Sequence, residues 1–153
     1  MHLETRILVR RKPEDVWSYL GEYSNVPAWD RGVGSVRHNP DTATGVGFEF
    51  STFKTESASD SNAERGKMSY RITEADAVNG YTFQLTNSDG NARYFKGAKW
   101  SFKVDKVPEG ALVTCAVLFK LRLKYIFLAP VFFLMRGAIH HDLESLKRIL
   151  EHA

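Results

Sequence analysis

Between residues 48 and 104, short segments alternate apolar and polar side chains with a period of two. The apolar sets are Phe48 and Phe50; Met68, Tyr70 and Ile72; Tyr81, Phe83 and Leu85; and Ala98, Trp100, Phe102 and Val104. Because successive side chains of a β-strand point to opposite faces, this pattern predicts strands with one apolar and one polar face. Turn signals at Asn79-Gly80, Asp89-Gly90 and Glu109-Gly110 predict an antiparallel meander. Its apolar face must be buried against another element.

The flanking segments predict further strands and two short helices. Alternation at 3–10 and 111–124 indicates strands, and Gly32 and Gly34 mark a bend into another strand through Val36. The interior side of the strand at 111–124 is predicted to carry Val113, Cys115, Val117, Phe119 and Leu121. Pro13 followed by two acidic residues indicates a helix start, and a second short helix or turn is expected at 24–29. The polar loop at 55–66 is expected to be the most mobile segment.

The C-terminal segment is the element that matches this sheet in length. Its apolar stripe, at helical spacing after Pro130, consists of Phe132, Met135, Ile139, Leu143, Leu146 and Leu150. This stripe predicts an amphipathic helix of roughly twenty residues. We therefore expect an α+β fold in which a curved antiparallel sheet of about seven strands wraps around this helix. Such a sheet leaves a gap that one stripe of side chains cannot fill, which predicts an internal cavity.

Length and composition are those of one globular domain spanning 1–153, and they argue against several functions. The 21 basic and 18 acidic residues are mixed along the chain, which does not indicate nucleic-acid binding. The lone cysteine, Cys115, excludes an internal disulfide. The N-terminus lacks the pattern of a signal peptide, and the apolar run at 125–135 is about half of the ~20 residues needed to cross a bilayer. A cytoplasmic location is expected.

Three short motifs, in order along the chain, resemble one superfamily. They are Ile7-Leu8-Val9 leading to Pro13-Glu14-Asp15-Val16-Trp17, then Asn25-Val26-Pro27-Ala28-Trp29, and finally Asp142-Leu143-Glu144-Ser145-Leu146-Lys147. Together with the element order they resemble the START/SRPBCC group, which includes birch-pollen-allergen-like proteins and polyketide cyclase/dehydrase-like proteins. The resemblance implies a helix-grip fold with a cavity for lipids, polyketides, sterols or isoprenoids. It implies no single reaction, since members include carriers, sensors and enzymes.

Candidate ligand-binding residues are those expected to face the cavity. They are Trp29, Phe50, Tyr70, Phe83, Trp100, Phe119, Met135, Arg136 and Ile139. Arg136 falls within the apolar sector of the predicted helix, where a buried guanidinium needs a carboxylate, an anionic ligand or water. Two interpretations stay open for it: an anchor for an acidic ligand, or a side chain that reaches the surface.

Metal, cofactor and catalytic signals are weak. The sequence has no HExxH or paired CxxC motif, and Gly45-Val46-Gly47 lacks the context of a phosphate loop. Adjacent helical residues point about 100° apart, so His140 and His141 cannot share an ion. We therefore expect neither a metal nor a cofactor. No catalytic constellation is recognised; Tyr70 and Arg136 are the groups that would steer proton transfer if the protein were a cyclase.

The segment 120–134 combines exposed apolar residues with cations. Lys120, Arg122 and Lys124 precede a run in which half of the apolar side chains should face outward. This pairing suits contact with anionic lipid, whereas packing on the short helices or in a homodimer would bury the same residues. Three functions remain open: a carrier or sensor of a hydrophobic small molecule, a polyketide cyclase-like enzyme, and a lipid- or quinone-binding protein that visits membranes. The protein is expected to be a monomer or a homodimer.

Overall fold

Seven strands form a single antiparallel sheet that carries the predicted meander. The computed structural model describes residues 1–38, 41, 45–54, 66–78 and 80–153. The strands are β1 (His2–Val9), β2 (Ser35–His38), β3 (Glu49–Phe53), β4 (Met68–Asp76), β5 (Gly80–Leu85), β6 (Phe95–Val107) and β7 (Gly110–Leu121). Their order across the sheet is β1-β7-β6-β5-β4-β3-β2. The first strand therefore pairs with the last one, in antiparallel orientation.

Helices fill the two connections that the sequence predicted. After β1 come α1 (Pro13–Gly21), a 3-10 turn (Tyr23–Asn25) and α2 (Val26–Trp29); after β7 come a 3-10 segment (Leu123–Leu128), α3 (Ala129–Phe133) and α4 (Met135–Glu151). Pro13 stands at the first position of α1, with Glu14 and Asp15 in its first turn, as expected from the helix dipole. The observed architecture confirms the predicted α+β helix-grip fold.

The turn between β6 and β7 shows why glycine is needed there. Gly110 has a φ of +142°, and a Cβ at this position would collide with the carbonyl oxygen of Val9. The Asp89-Gly90 signal instead opens a 3-10 helix, Gly90–Tyr94, before β6 begins. Asn79 of the first predicted turn, and the predicted loop at 55–66 except for Gly66, lie outside the described residues.

The C-terminal helix is shorter than predicted. The chain is bent by 52° between Leu123–Phe133 and Met135–Glu151, so the expected continuous helix after Pro130 begins only at Met135. The break at Leu134 lets Phe132 pack against Phe95 and Phe119, with ring centroids 5.4 and 5.8 Å away. The last strand is also shorter than predicted, since β7 ends at Leu121 and not at residue 124. The spacing of apolar residues along the sequence does not reveal such a change of direction.

The core lies between the concave face of the sheet and α4. Leu143 and Leu146 are fully buried, and Leu150 nearly so. They face the inward side of β7, where Val113, Cys115, Val117 and Phe119 are buried as predicted, while Leu121 is only partly covered. Among the described residues, no single helix has the length and apolar character to cross a bilayer; the bent pair passes on length and composition only when its halves are combined.

Candidate functional site

A cavity lies between the sheet, the first connection and α4. Its volume is about 100 Å³. Rings supply much of its wall: Tyr23, Trp29, Phe50, Tyr70, Tyr81, Phe83, Trp100 and Phe102. Aliphatic side chains complete it, among them Leu20, Val26, Val33, Ile139 and Leu143. The volume is below the roughly 300–1,000 Å³ of pockets that enclose drug-sized ligands, so only a small molecule fits without movement of the wall.

Strand register brings the rings together. Phe50 of β3 pairs with Tyr70 of β4, and Phe83 of β5 pairs with Trp100 of β6. Residues opposite each other on antiparallel strands share a face, so these four rings form one continuous surface. Tyr70 stands nearly perpendicular to Trp100, at an interplanar angle of 80°, while Phe83 and Trp100 are parallel within 1°. The surface offers both ring faces and ring edges to a flat apolar molecule.

Two carboxyl groups interrupt this apolar lining. Asp30 directly follows α2, and Asp142 lies one helical turn after Ile139 on α4; both border the cavity. Asp30 accepts a hydrogen bond from the backbone N–H of Gly32 at 2.8 Å. Asp142 accepts one from the backbone N–H of Arg31 at 3.4 Å, and the Arg31 Nε lies 3.8 Å from the same oxygen. The chain segment 30–32 therefore connects the two acids.

Burial makes these carboxyl groups weaker acids than usual. It raises the pKa of Asp30 to about 6, to which the negative charge of Asp142 contributes, while the Gly32 N–H acts in the opposite direction. Burial also raises the pKa of Asp142, opposed by the hydrogen bond and the charge of Arg31. Asp30 can therefore exchange a proton close to neutral pH.

Two other polar groups of the wall are less available. The Tyr70 hydroxyl donates to the Met68 sulfur at 3.5 Å, and burial, together with the nearby Asp30 charge, raises its pKa. Cys115 is 2% exposed, and burial raises the pKa of its thiol. Both stay protonated at neutral pH, so neither is a ready nucleophile.

Six of the nine predicted site residues line the cavity. They are Trp29, Phe50, Tyr70, Phe83, Trp100 and Ile139. Phe119 is buried but borders a separate surface groove, together with Lys96 and Lys120. Met135 packs at the margin of the core without reaching the cavity lining.

Arg136 does not lie inside the apolar sector, which corrects the placement expected from the stripe. It is exposed, and its Nε donates to the Glu4 carbonyl oxygen of β1 at 3.1 Å. On this side α4 faces the edge strand β1, which His140 and Lys147 also contact, so Arg136 meets the strand and not the cavity. The position of Arg136 corresponds to the second interpretation, a side chain that reaches the surface. His140, at the edge of the stripe, lies 2.7 Å from the Thr5 hydroxyl through Nδ1.

The two acids were not among the predicted site residues. For Asp142 a signal existed, since a carboxylate between Ile139 and Leu143 falls within the helical stripe. Asp30 lies after the end of α2 and outside any periodic pattern, so its position depends on the tertiary structure.

An antiparallel sheet that grips a C-terminal helix around an internal space defines the helix-grip class. A family model described as "Polyketide cyclase / dehydrase and lipid transport" matches residues 1–151, and the chain belongs to this family. No curated protein matches the sequence.

Solved structures of the same fold share little sequence with this chain. Ara h 8.0201 has a TM-score of 0.74 at 10% identity, covering 100% of this chain and 99% of its own. MLL2253 from Mesorhizobium loti has a TM-score of 0.72 at 12% identity, with 100% and 98% covered. The di-domain ARO/CYC StfQ from the steffimycin biosynthetic pathway has a TM-score of 0.73 at 12% identity over 99% of this chain. This chain spans half the length of StfQ. At such identities the similarity shows the fold alone.

Proposed function

We propose that the protein binds a small apolar molecule that contains a ring and carries a hydrogen-bond donor. The observation that carries this proposal is the cavity wall, in which aromatic side chains surround the carboxyl groups of Asp30 and Asp142. The rings supply apolar contact, and a carboxylate accepts a hydrogen bond from a hydroxyl or an amine. Membership of a family described by cyclase, dehydrase and lipid-transport roles supports a hydrophobic ligand.

The two carboxyl groups also define what the site rejects. A ligand carboxylate or phosphate in the cavity would face Asp30 and Asp142, and like charges in a poorly solvated space repel. Arg136, which the sequence offered as an anion anchor, lies outside the lining. The preferred ligand is therefore neutral or cationic at its polar end.

A matched pair of probes tests this preference. In calorimetric titrations we expect 2-naphthol, which has a hydroxyl donor, to bind about tenfold more tightly than 2-methoxynaphthalene, which has none. Asp30→Leu should abolish the preference while retaining apolar binding, and Asp105→Asn, on β6 and paired with Lys103, should leave both affinities unchanged. Equal affinities of the native protein for the two probes would contradict the proposed role of Asp30, and failure of both probes to bind would contradict the cavity proposal itself.

A second candidate is an acid–base enzyme acting on a reactive carbonyl chain, in the manner of a cyclase. The specific observation in its favour is Asp30, whose raised pKa of about 6 suits general acid–base catalysis near neutral pH. Incubation with a poly-β-carbonyl thioester, followed by absorbance of the aromatic product, tests this function. A cyclisation rate that follows the ionisation of Asp30 and falls at least about a hundredfold in Asp30→Asn would support it. A rate equal to that of the uncatalysed reaction would leave only the binding function.

A further inference from the structure

The segment between β7 and α4 presents apolar side chains without cover. Six large apolar residues there are between 56% and 85% exposed. They are Leu123, Ile126, Phe127, Val131, Phe133 and Leu134, and we call them the 123–134 surface. Single exposed apolar residues are ordinary, but a concentration of six within twelve positions marks a contact surface. Phe132 of the same segment is partly buried and packs against the core, while these six side chains remain exposed.

Lysines border this surface. Lys96 and Lys120 line the same groove as Leu123, Ile126 and Phe133. Lys124 lies within the segment, with its Nζ 5.1 Å from the centroid of the Tyr125 ring. In the described part of the chain none of these lysines has an ion-pair partner, and the sequence contains no Asp or Glu from residue 110 to residue 141. Within the described residues, the positive charge around the apolar side chains is therefore not paired with an acid.

We propose that the 123–134 surface docks on the anionic face of a lipid bilayer. Apolar side chains enter the boundary of the acyl chains while the bordering lysines meet negatively charged headgroups. A second copy of this chain is a poorer occupant, because a two-fold interface would bring the same lysines of both copies together. The proposal goes beyond ligand binding, since it requires no molecule in the cavity.

The buried residues of α4 limit how much of the chain can enter the bilayer. Leu143, Leu146 and Leu150 are at most 4% exposed and belong to the protein core. They cannot face lipid while the sheet stays packed, so the segment lies on the membrane while α4 remains in the fold. Tyr125, partly buried beside Lys124, suits the headgroup level, where aromatic residues are enriched.

Flotation of the full chain with vesicles tests the proposal. We expect binding to vesicles of phosphatidylcholine with phosphatidylserine, weak binding to phosphatidylcholine alone, and weakening as salt is added. Phe127→Ser with Leu134→Ser should lower the partition coefficient at least about tenfold, because each residue contributes buried apolar area. Val78→Ser is the matched control, since Val78 is 77% exposed on another turn and should have no effect.

A charge-reversal pair tests the electrostatic contribution. Lys120→Glu with Lys124→Glu should lower binding to the phosphatidylserine vesicles at least about tenfold, whereas Lys106→Glu, an exposed residue near the end of β6, should not. All four residues changed in the two double variants are exposed, and thermal unfolding verifies that these variants remain folded. Absence of native binding to anionic vesicles, or equal binding by the serine variant, would overturn the proposal. So would a dimer in sedimentation that the serine substitutions dissociate and that vesicles do not compete with.

Discussion

The concave face of the sheet is packed differently at its two ends. At one end, β1, β7 and the last turns of α4 contribute aliphatic side chains, and Val9, Val113 and Leu146 have no exposed area. At the other end, β3 to β6 and the first connection contribute rings, and the cavity of about 100 Å³ remains between them. Aliphatic side chains interdigitate at close-packed density, whereas rigid rings at angles near 80° leave space. The first end stabilises the fold and the second forms the wall of the cavity.

Polar groups follow the same division. At the aliphatic end they tie α4 to neighbouring backbone: the Lys147 Nζ donates to the Leu8 carbonyl oxygen at 2.8 Å, and Arg11 donates to the Leu150 carbonyl oxygen at 2.7 Å. At the ring-lined end, Asp30 and Asp142 border the cavity. The hydrogen bonds at the aliphatic end add stability. The partly buried carboxyl groups at the ring-lined end cost stability and have oxygens that can accept a hydrogen bond. Substitutions at the two ends should therefore differ in sign as well as in size.

The most destabilising substitution that we expect is a truncation at the aliphatic end. Leu146→Ala should lower the free energy of unfolding by about 2–5 kcal/mol, because its fully buried side chain leaves a space that its neighbours cannot refill. Ile139→Ala, on the same helix but beside the existing cavity and partly exposed, should cost only roughly 1 kcal/mol. Urea denaturation measures both values. Equal losses would show that the two ends are packed alike.

The second effect has the opposite sign. Asp30→Asn should raise the free energy of unfolding at pH 7 by about 1–3 kcal/mol, because it removes a partly buried charge whose pKa is raised from 3.8 to about 6. Between pH about 4 and 6 the folded protein binds more protons at Asp30 than the unfolded chain does, so native stability falls as the pH rises through this window. Urea midpoints measured across this pH range provide the test.

The control for this prediction is Asp105→Asn, which removes an acid that is 45% exposed and paired with Lys103. It should leave the slope between pH 4 and 6 unchanged. If Asp30→Asn instead lowered stability at pH 7, the carboxylate would be well solvated, and the contrast between the two ends would lose its electrostatic part.

The sequence was sufficient for the fold because its signals are local. Alternation assigned Tyr70, Phe83 and Trp100 to the concave face, and Pro13 placed the start of α1; neither depends on distant residues. The break at Leu134 could not be predicted, since it depends on where Phe132 meets the rings of β6 and β7. The residue at which a helix begins to pack on a sheet depends on tertiary contacts.

The candidate site was predictable to the extent that it lies on regular elements. The inward positions of β3 to β6 follow from a period of two, so the rings of the wall were accessible to reasoning from sequence. Arg136 was assigned inward by the same helical logic, but its turn of α4 borders the edge strand, where the Glu4 carbonyl accepts its hydrogen bond. Asp30 belongs to an irregular connection whose course no period describes. The carboxyl groups of the cavity wall therefore escaped prediction, whereas its aromatic residues did not.

A modest loss of stability is expected when the link between Lys147 and β1 at the aliphatic end is removed. Lys147→Met keeps the hydrocarbon stem and the helix propensity but removes the hydrogen bond to Leu8 and the 3.3 Å ion pair with Glu151, so it should cost about 1 kcal/mol. Arg148→Met, in the same turn but exposed and with a side chain that donates to the Ser145 hydroxyl, should cost less than about 0.5 kcal/mol. Urea denaturation gives these values, and calorimetry with 2-naphthol should show unchanged affinity for both variants. A change in affinity for Lys147→Met would mean that the backbone links at the aliphatic end also set the shape of the cavity, and the two ends could then no longer be treated as independent.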